Sequence, residues 1–322
     1  MDDGFTALRD RPEPGPSGAM PRARTRPRVE PHHRRRRALA LAVLAGIALI
    51  AGAATGAGGG TTTHHGAVPT HGYFGRLATL AGTGPGSFAV AERVAENVAI
   101  NRTLAYTPYV RVAGAQHKEL ALTFDDGPGP YTPQVLSVLR REQVPGTFFE
   151  VGVSLHYFHA GTSEIVADGY PIGDHTLDHA AMSHLSPSGQ QNQLLQQSKL
   201  IARYGAPFPR LFRPPYGLWD NETLAILRKY RMLMVMWTVD TSDYREPGVK
   251  AIVHTAVSGA RPGAIILMHD AGGNRSETVA ALPRIIRALR ARGYKLVTVP
   301  KLLLDNPAPK DQQILSILGS GG

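Results

Sequence analysis

The chain has 322 residues, 43% hydrophobic and 19% charged, with a formal net charge of +10. That length favours about two domains, with one large domain plus appendages as the other option, and a folded segment of roughly 200 residues can bury its own core. It contains no cysteine, which excludes a thiol nucleophile, a cysteine zinc site, an iron–sulfur cluster and a disulfide scaffold.

Residues 1–37 hold ten arginines against five acids, so half of the excess charge sits in one Pro/Arg-rich tail. The rest is spread thinly and forms no stripe, so no nucleic-acid partner is expected. The composition of the tail predicts disorder. An uncharged apolar run follows at 38–54, near the lower limit for crossing a bilayer. Arginines before it and none soon after predict a single-pass signal anchor over 38–58, with the tail in the cytoplasm and the bulk of the chain outside, at the cell membrane. A cleaved signal, with Ala51-Gly52-Ala53 as the cut, is the competing reading and would release the protein. Residues 59–117 read as linker and stalk. The linker is rich in Gly and Thr, and its His64, His65 and His71 read as solvated. One amphipathic helix is expected over 88–100, because Val90, Val94 and Val98 recur four apart, either as a stalk or packed on the domain that follows.

From about Lys118 to residue 306, short apolar runs alternate with helical stretches. The runs are 120–124, 147–151, 170–173, 211–212, 232–239, 264–268 and 295–299. Thr132-Pro133 offers a cap and first-turn proline to one helix, and Asp220 caps another. Gly169, Gly205 and Gly293 sit where helices end. The alternation predicts an α/β fold with a parallel sheet, a distorted or incomplete (β/α) barrel of about seven strands. Residues 307–322 form a C-terminal tail.

Five of these runs end in titratable residues: Asp125-Asp126, Asp174-His175, Arg213, Asp240 with Asp243 near, and His269-Asp270. In a barrel these ends share one rim, where active sites are built. His175 and His179 lie four apart, and a helical turn there would face both one way. With a strand-end carboxylate they give three ligands and an open position, the pattern of catalytic zinc. Asp125-Asp126 supplies two neighbouring carboxylates, one for a metal and one to take a proton from water. Prolines 214 and 215 stiffen the segment after Arg213. His269 follows the most apolar strand, with Asp243 or Asp270 as its carboxylate partner. The set points to metal-assisted hydrolysis of a carbonyl compound. No Gly-x-Ser-x-Gly elbow, Walker loop or dinucleotide fingerprint is present.

These residues resemble the five ordered motifs of the polysaccharide deacetylases with a NodB homology domain, carbohydrate esterase family 4. The motifs are Thr123-Phe124-Asp125-Asp126-Gly127-Pro128, His175-Thr176-Leu177-Asp178-His179, Arg213-Pro214-Pro215-Tyr216-Gly217, Asp240-Thr241-Ser242-Asp243-Tyr244 and Leu267-Met268-His269. The resemblance implies Asp125 as general base, with Arg213 orienting it. It implies Asp126, His175 and His179 as ligands of zinc or another divalent ion such as Co2+. His269 would be the general acid, tuned by Asp243. The Tyr216 backbone N–H would hold the oxyanion, and Leu267 would line the acetyl pocket. The sequence departs from the family at Tyr244, usually Trp, which leaves an aromatic wall; at Asp174, usually Asn; and at Ala180, usually Pro. The implied activity is N-deacetylation of an extracytoplasmic N-acetylglucosamine-containing glycan, peptidoglycan or a chitin-like oligosaccharide; the protein is expected to be a monomer. An O-acetyl esterase on acetylated xylan and a non-catalytic glycan-binding wall protein are the alternatives.

Overall fold

The computed structural model describes residues 90–313. The tail, the anchor, most of the linker and the end of the C-terminal tail lie outside the described residues. Among the described residues no helix is long and apolar enough to cross a membrane.

The elements alternate as the sequence rhythm predicts. They are α1 (Val90–Leu104), β1 (Tyr109–Val110), β2 (Glu119–Asp125), α2 (Thr132–Glu142), β3 (Thr147–Glu150), α3 (Gly152–Ala167), β4 (Ile172–Asp174), α4 (Pro187–Arg203) and β5 (Leu211–Phe212). They continue with α5 (Asn221–Tyr230), β6 (Leu233–Val235), β7 (Val239–Asp240), α6 (Val249–Ser258), β8 (Ile265–His269), α7 (Ser276–Ala291), β9 (Lys295–Val297) and α8 (Val299–Asp305). The nine strands run in the order β1-β6-β5-β4-β3-β2-β8-β7, with β9 paired to the start of β2, and every strand pair is parallel. The sheet curls into an incomplete barrel. A single antiparallel bridge, Val112 to Ala264, ties the chain beyond β1 to the start of β8.

Two strands exceed the expected count. β1 has two residues, too few to show a period. The apolar run 232–239 divides into β6 and β7, because β6 pairs with β5 and β1 while β7 pairs with β8. β2 is buried along its whole length, since helices cover one face of the sheet and the barrel interior covers the other. Leu120, Leu122 and Phe124 pack with α2 and α7, while Ala121 packs with Phe149, Val235 and Ile265 inside.

Local signals account for most helix ends. Asp220 caps α5 in a box with Thr223, and Gly169, Gly205 and Gly293 all take positive φ just past helix ends. Thr132 is not a cap. It is the first helical residue, and its hydroxyl accepts from Gly129 N and donates to Asp270 Oδ2.

α1 is the expected helix turned to another face. Val94 and Val98 are 58% and 60% exposed, while Glu96, Ala99, Ile100 and Thr103 are buried. α1 packs against α8, and Ile100 enters the core beside Leu302 and Leu303. Arg102 donates to Leu303 O and Tyr106 to Ala308 O, so this segment is part of the domain rather than a free stalk. The N-terminal half of α1 borders a cavity with the residues that enter β4 and β5, among them Pro171 and Pro209. It therefore lies at the entry end of the strands. The chain after α8 also returns to the body, with Gln312 Oε1 accepting from the backbone of Arg111 and Val112.

Candidate active site

The exit ends of β2, β4, β5, β7 and β8 meet at a pocket of about 660 Å³. Asp125, Asp126, His175, His179, Tyr216, Tyr244, Leu267 and His269 all border it. Arg213 and Asp243 lie behind it and hold two of those side chains.

β2 delivers Asp125 as its last residue and Asp126 just after it. Asp126 takes a positive φ of 73°. Oδ1 of Asp126 is 3.1 Å from His179 Nε2 and 3.5 Å from His175 Nε2. The two histidines do not reach it on a helical turn. The chain after β4 is irregular, and Thr176 and His179 take φ of 70° and 62°, so both imidazoles converge through left-handed backbone. That loop is pinned by Asp174, which accepts from Thr176 N and Ser198 Oγ. Asp174 thus faces the interior and not the pocket. Its burial pushes its pKa up to about 7, against the pull of those two hydrogen bonds.

The ring nitrogens are sorted by their partners. His175 Nδ1 lies 2.7 Å from Arg213 O, and a carbonyl only accepts, so Nδ1 carries the proton and Nε2 is left for the centre. His179 Nδ1 lies 3.0 Å from the Tyr216 hydroxyl, which likewise turns Nε2 toward Asp126. The three ligand atoms lie within 4.8 Å of one another. Asp126 Oδ1 is buried with no hydrogen-bond partner, an orphan acceptor aimed between two imidazoles. Burial would raise the Asp126 pKa, but the adjacent His175 and His179 imidazoles, with His269 across the pocket, hold it well below the usual carboxylate range. A carboxylate kept ionised beside two imidazole lone pairs fits a divalent cation. Gly272, at φ +74°, passes so close that a Cβ there would strike Asp126 Oδ2.

Arg213 is fully buried. It donates from Nη1 to Asp125 Oδ1 at 2.6 Å and to Thr123 Oγ1, and from Nε to Val235 O, with its guanidinium 4.1 Å above the Phe149 ring. Asp125 Oδ2 is left facing the centre, 3.8 Å from His175 Nε2. Across the pocket, His269 Nδ1 pairs with Asp243 Oδ1 at 2.7 Å. Asp243 Oδ2 accepts from His269 N and Thr278 Oγ1, so the carboxylate is fixed on both oxygens. Burial alone would lower the His269 pKa, yet Asp243, with Asp126 and Asp125 behind it, raises it to about 9. Asp270 is not the partner of His269; it bonds Thr132 beneath Gly127, and burial lifts it to about 7.

Leu267 is buried at the pocket floor, and Tyr244 meets the His269 ring edge-on at 5.3 Å. Sequence reasoning missed Trp237, which borders the pocket from inside the run taken as one strand. It also missed Val153 and Ser154 at the start of α3, and Arg275, whose guanidinium folds the 271–274 loop by donating to three of its carbonyls. Glu150, the last residue of β3, is buried on Thr162 with its pKa raised to about 8. A lone acid ending an apolar strand was its only signal.

A carboxylate held by arginine and an imidazole held by carboxylate, facing each other across a three-ligand centre on a parallel-barrel rim, make this a hydrolase site. The polysaccharide deacetylase family model matches residues 113–235. A peptidoglycan-N-acetylglucosamine deacetylase of Bacillus cereus is 38% identical over 189 residues, 58% of this chain and 88% of that protein. A chitooligosaccharide deacetylase of a Bradyrhizobium species is 37% identical over 199 residues, 58% of this chain and 90% of that protein. The crystal structure of a peptidoglycan N-acetylglucosamine deacetylase superposes with a TM-score of 0.60 at 29% identity, over 64% of this chain and 95% of that one. The chain belongs to the polysaccharide deacetylase family.

Proposed function

We propose that this enzyme removes acetyl groups from N-acetylglucosamine residues of a glycan, by hydrolysis at a divalent metal centre. The observation that carries the reading is the orphaned Asp126 Oδ1 between His175 Nε2 and His179 Nε2, with Asp125 on one side and His269 on the other. Asp126, His175 and His179 would hold the ion. Zinc suits one carboxylate and two imidazoles, acidifying water and polarising the acetyl carbonyl.

The chain's own residues supply the rest. Asp125 Oδ2 takes the proton of the attacking water, while Arg213 keeps Oδ1 occupied. Oxygen adds to the acetyl carbon, and the Tyr216 backbone N–H steadies the charge that builds on the carbonyl oxygen. His269 Nε2 then protonates the sugar nitrogen as the C–N bond breaks, giving acetate and a free amine. Leu267 packs on the acetyl methyl and Tyr244 walls the sugar. Peptidoglycan and chitin-like oligomers are the candidate polymers, because the named relatives act on these. Substrate outside the cytoplasm agrees with the arginine-rich tail and apolar run at the N-terminus.

The test is acetate release from peptidoglycan, N-acetylglucosamine oligomers and acetylated xylan, after chelation and after zinc or cobalt is returned. Metal-restored release from the amide substrates is expected, with none from His175→Ala or Asp126→Ala. Release only from xylan would replace the reading with an esterase. Release from none, with zinc bound, would leave a glycan-binding protein.

A further inference from the structure

The entry pole of the barrel holds arginines that no carboxylate neutralises. Arg210 immediately precedes β5, and Arg231 lies two residues before β6. Arg210 donates from Nε to Arg231 O at 3.0 Å and from Nη2 to Asn101 Oδ1 at 2.7 Å. Arg231 Nη2 donates to the same Asn101 oxygen at 3.2 Å, so one neutral amide gathers two guanidiniums. Among the described residues, neither arginine has a carboxylate oxygen within 4.0 Å. Burial, and the positive charge of Arg231 beside it, push the Arg210 pKa down.

Other arginines of this fold are paired. Arg140, at the end of α2, holds Glu164 and Asp168, and Arg213 holds Asp125. The dipole of α5 favours cations at its C-terminus, which accounts for Arg228 in its last turn and Arg231 at its cap. It does not account for Arg210, which approaches from another strand and is drawn to the same amide. Two like charges held side by side repel, and an anion set against them relieves that repulsion.

The cluster borders a pocket of about 480 Å³ where α1 and the chain into β1 face the end of α5. Asn101, Ala105, Thr107, Arg228 and Arg231 line it, with no acid among its walls. Arg210 stands behind Asn101 and adds its charge. Guanidinium forks match the oxygens of a phosphoryl group, which can accept from two of them at once. We propose that this pocket is a phosphoryl-binding site, taking a phosphate group from solution or from a lipid headgroup. It lies at the opposite pole from the catalytic pocket, so a ligand there leaves the cleft open. The proposal is independent of the deacetylase reading.

The experiment follows amide hydrogen exchange of the full-length protein in phosphatidylcholine nanodiscs. One arm titrates inorganic phosphate against chloride at equal ionic strength. The other replaces part of the lipid with phosphatidylglycerol. Exchange over residues 104–108 and 228–232 should slow about tenfold when phosphate reaches about ten times its Kd, or by a comparable factor with the anionic lipid. Slowing by phosphate alone assigns a soluble phosphate, and slowing by the lipid alone assigns a headgroup; either supports the site. Arg228→Gln combined with Arg231→Gln should remove the slowing, at about fivefold per arginine, with the melting curve unchanged. If the double variant melts early, Arg228→Gln alone, at an exposed side chain, should still weaken the effect about fivefold. Unchanged exchange in both arms, slowing matched by chloride, or slowing that survives these substitutions would overturn the site.

Discussion

Nη1 of Arg213 sits 2.6 Å from Oδ1 of Asp125, and both side chains are buried. The guanidinium also holds Thr123 Oγ1 and Val235 O, on two different strands. Removing it strands a buried carboxylate and opens a gap over Phe149. Arg213→Ala is expected to cost about 3–5 kcal/mol of stability, enough to lower Tm by roughly 10 °C. Arg213→Lys should not rescue it, because one compact ammonium cannot span the same three acceptors. Thermal melts decide this, and a Tm within a degree or two of wild type would refute it.

The Asp243–His269 pair sets a pH limit. His269 is raised to about 9 in the folded protein against 6.5 for a free imidazole. A proton donor with that pKa fails as pH climbs through 9. The same pair stabilises the fold fully below about 6.5 and ceases to do so as pH rises through about 9. In Asp243→Asn the alkaline limb of kcat should move to neutral pH, cutting turnover at pH 8 by about 30-fold relative to wild type. A limb that stays near 9 would mean another group donates the proton.

Asp174 is a buried acid whose pKa is raised from 3.8 to about 7. The sign is opposite to that of a paired carboxylate. The folded state is penalised progressively from pH 4 to 7, and the penalty is complete above 7. Asp174→Asn keeps an acceptor for Thr176 N and removes the charge. It should raise Tm by several degrees at pH 8, with little gain at pH 4, and leave deacetylation intact. Melting curves across that range would expose the error if the gain were largest in acid.

Gly272 touches Asp126 from a backbone conformation at φ +74°. Gly272→Ala adds an unfavourable φ and a methyl group where the carboxylate lies. Zinc affinity measured by calorimetry should fall at least tenfold, and the metal-free protein should melt a few degrees lower because of the strained φ, while the Asp125–Arg213 pair changes little. Unaltered affinity would mean that Asp126 does not bind the ion as drawn.

The barrel and most of its rim are legible in the sequence because β2 and β8 are long, apolar and end in charged residues. Three features are not. The His175–His179 geometry depends on left-handed Thr176 and His179, residue types that give no such signal. The orientation of α1 follows from Ile100 entering the core beside Leu302 and Leu303 of α8, and the valine period points the other way. Trp237 reaches the pocket because the run 232–239 breaks between strands, and continuous hydrophobicity hides the break. In each case a tertiary contact outweighs the local pattern.

α1 joins the domain at the entry ends of the strands, and the pocket opens at their exit ends. A protein gripped from its N-terminal side therefore aims its opening away from the grip. A fusion partner, bead or surface attached there leaves the cleft unobstructed, whereas coupling through the loops after β2, β4 or β8 would close it. Attachment point and working face are opposite poles of one barrel, so immobilised enzyme should reach polymer strands lying beyond it rather than those beneath it.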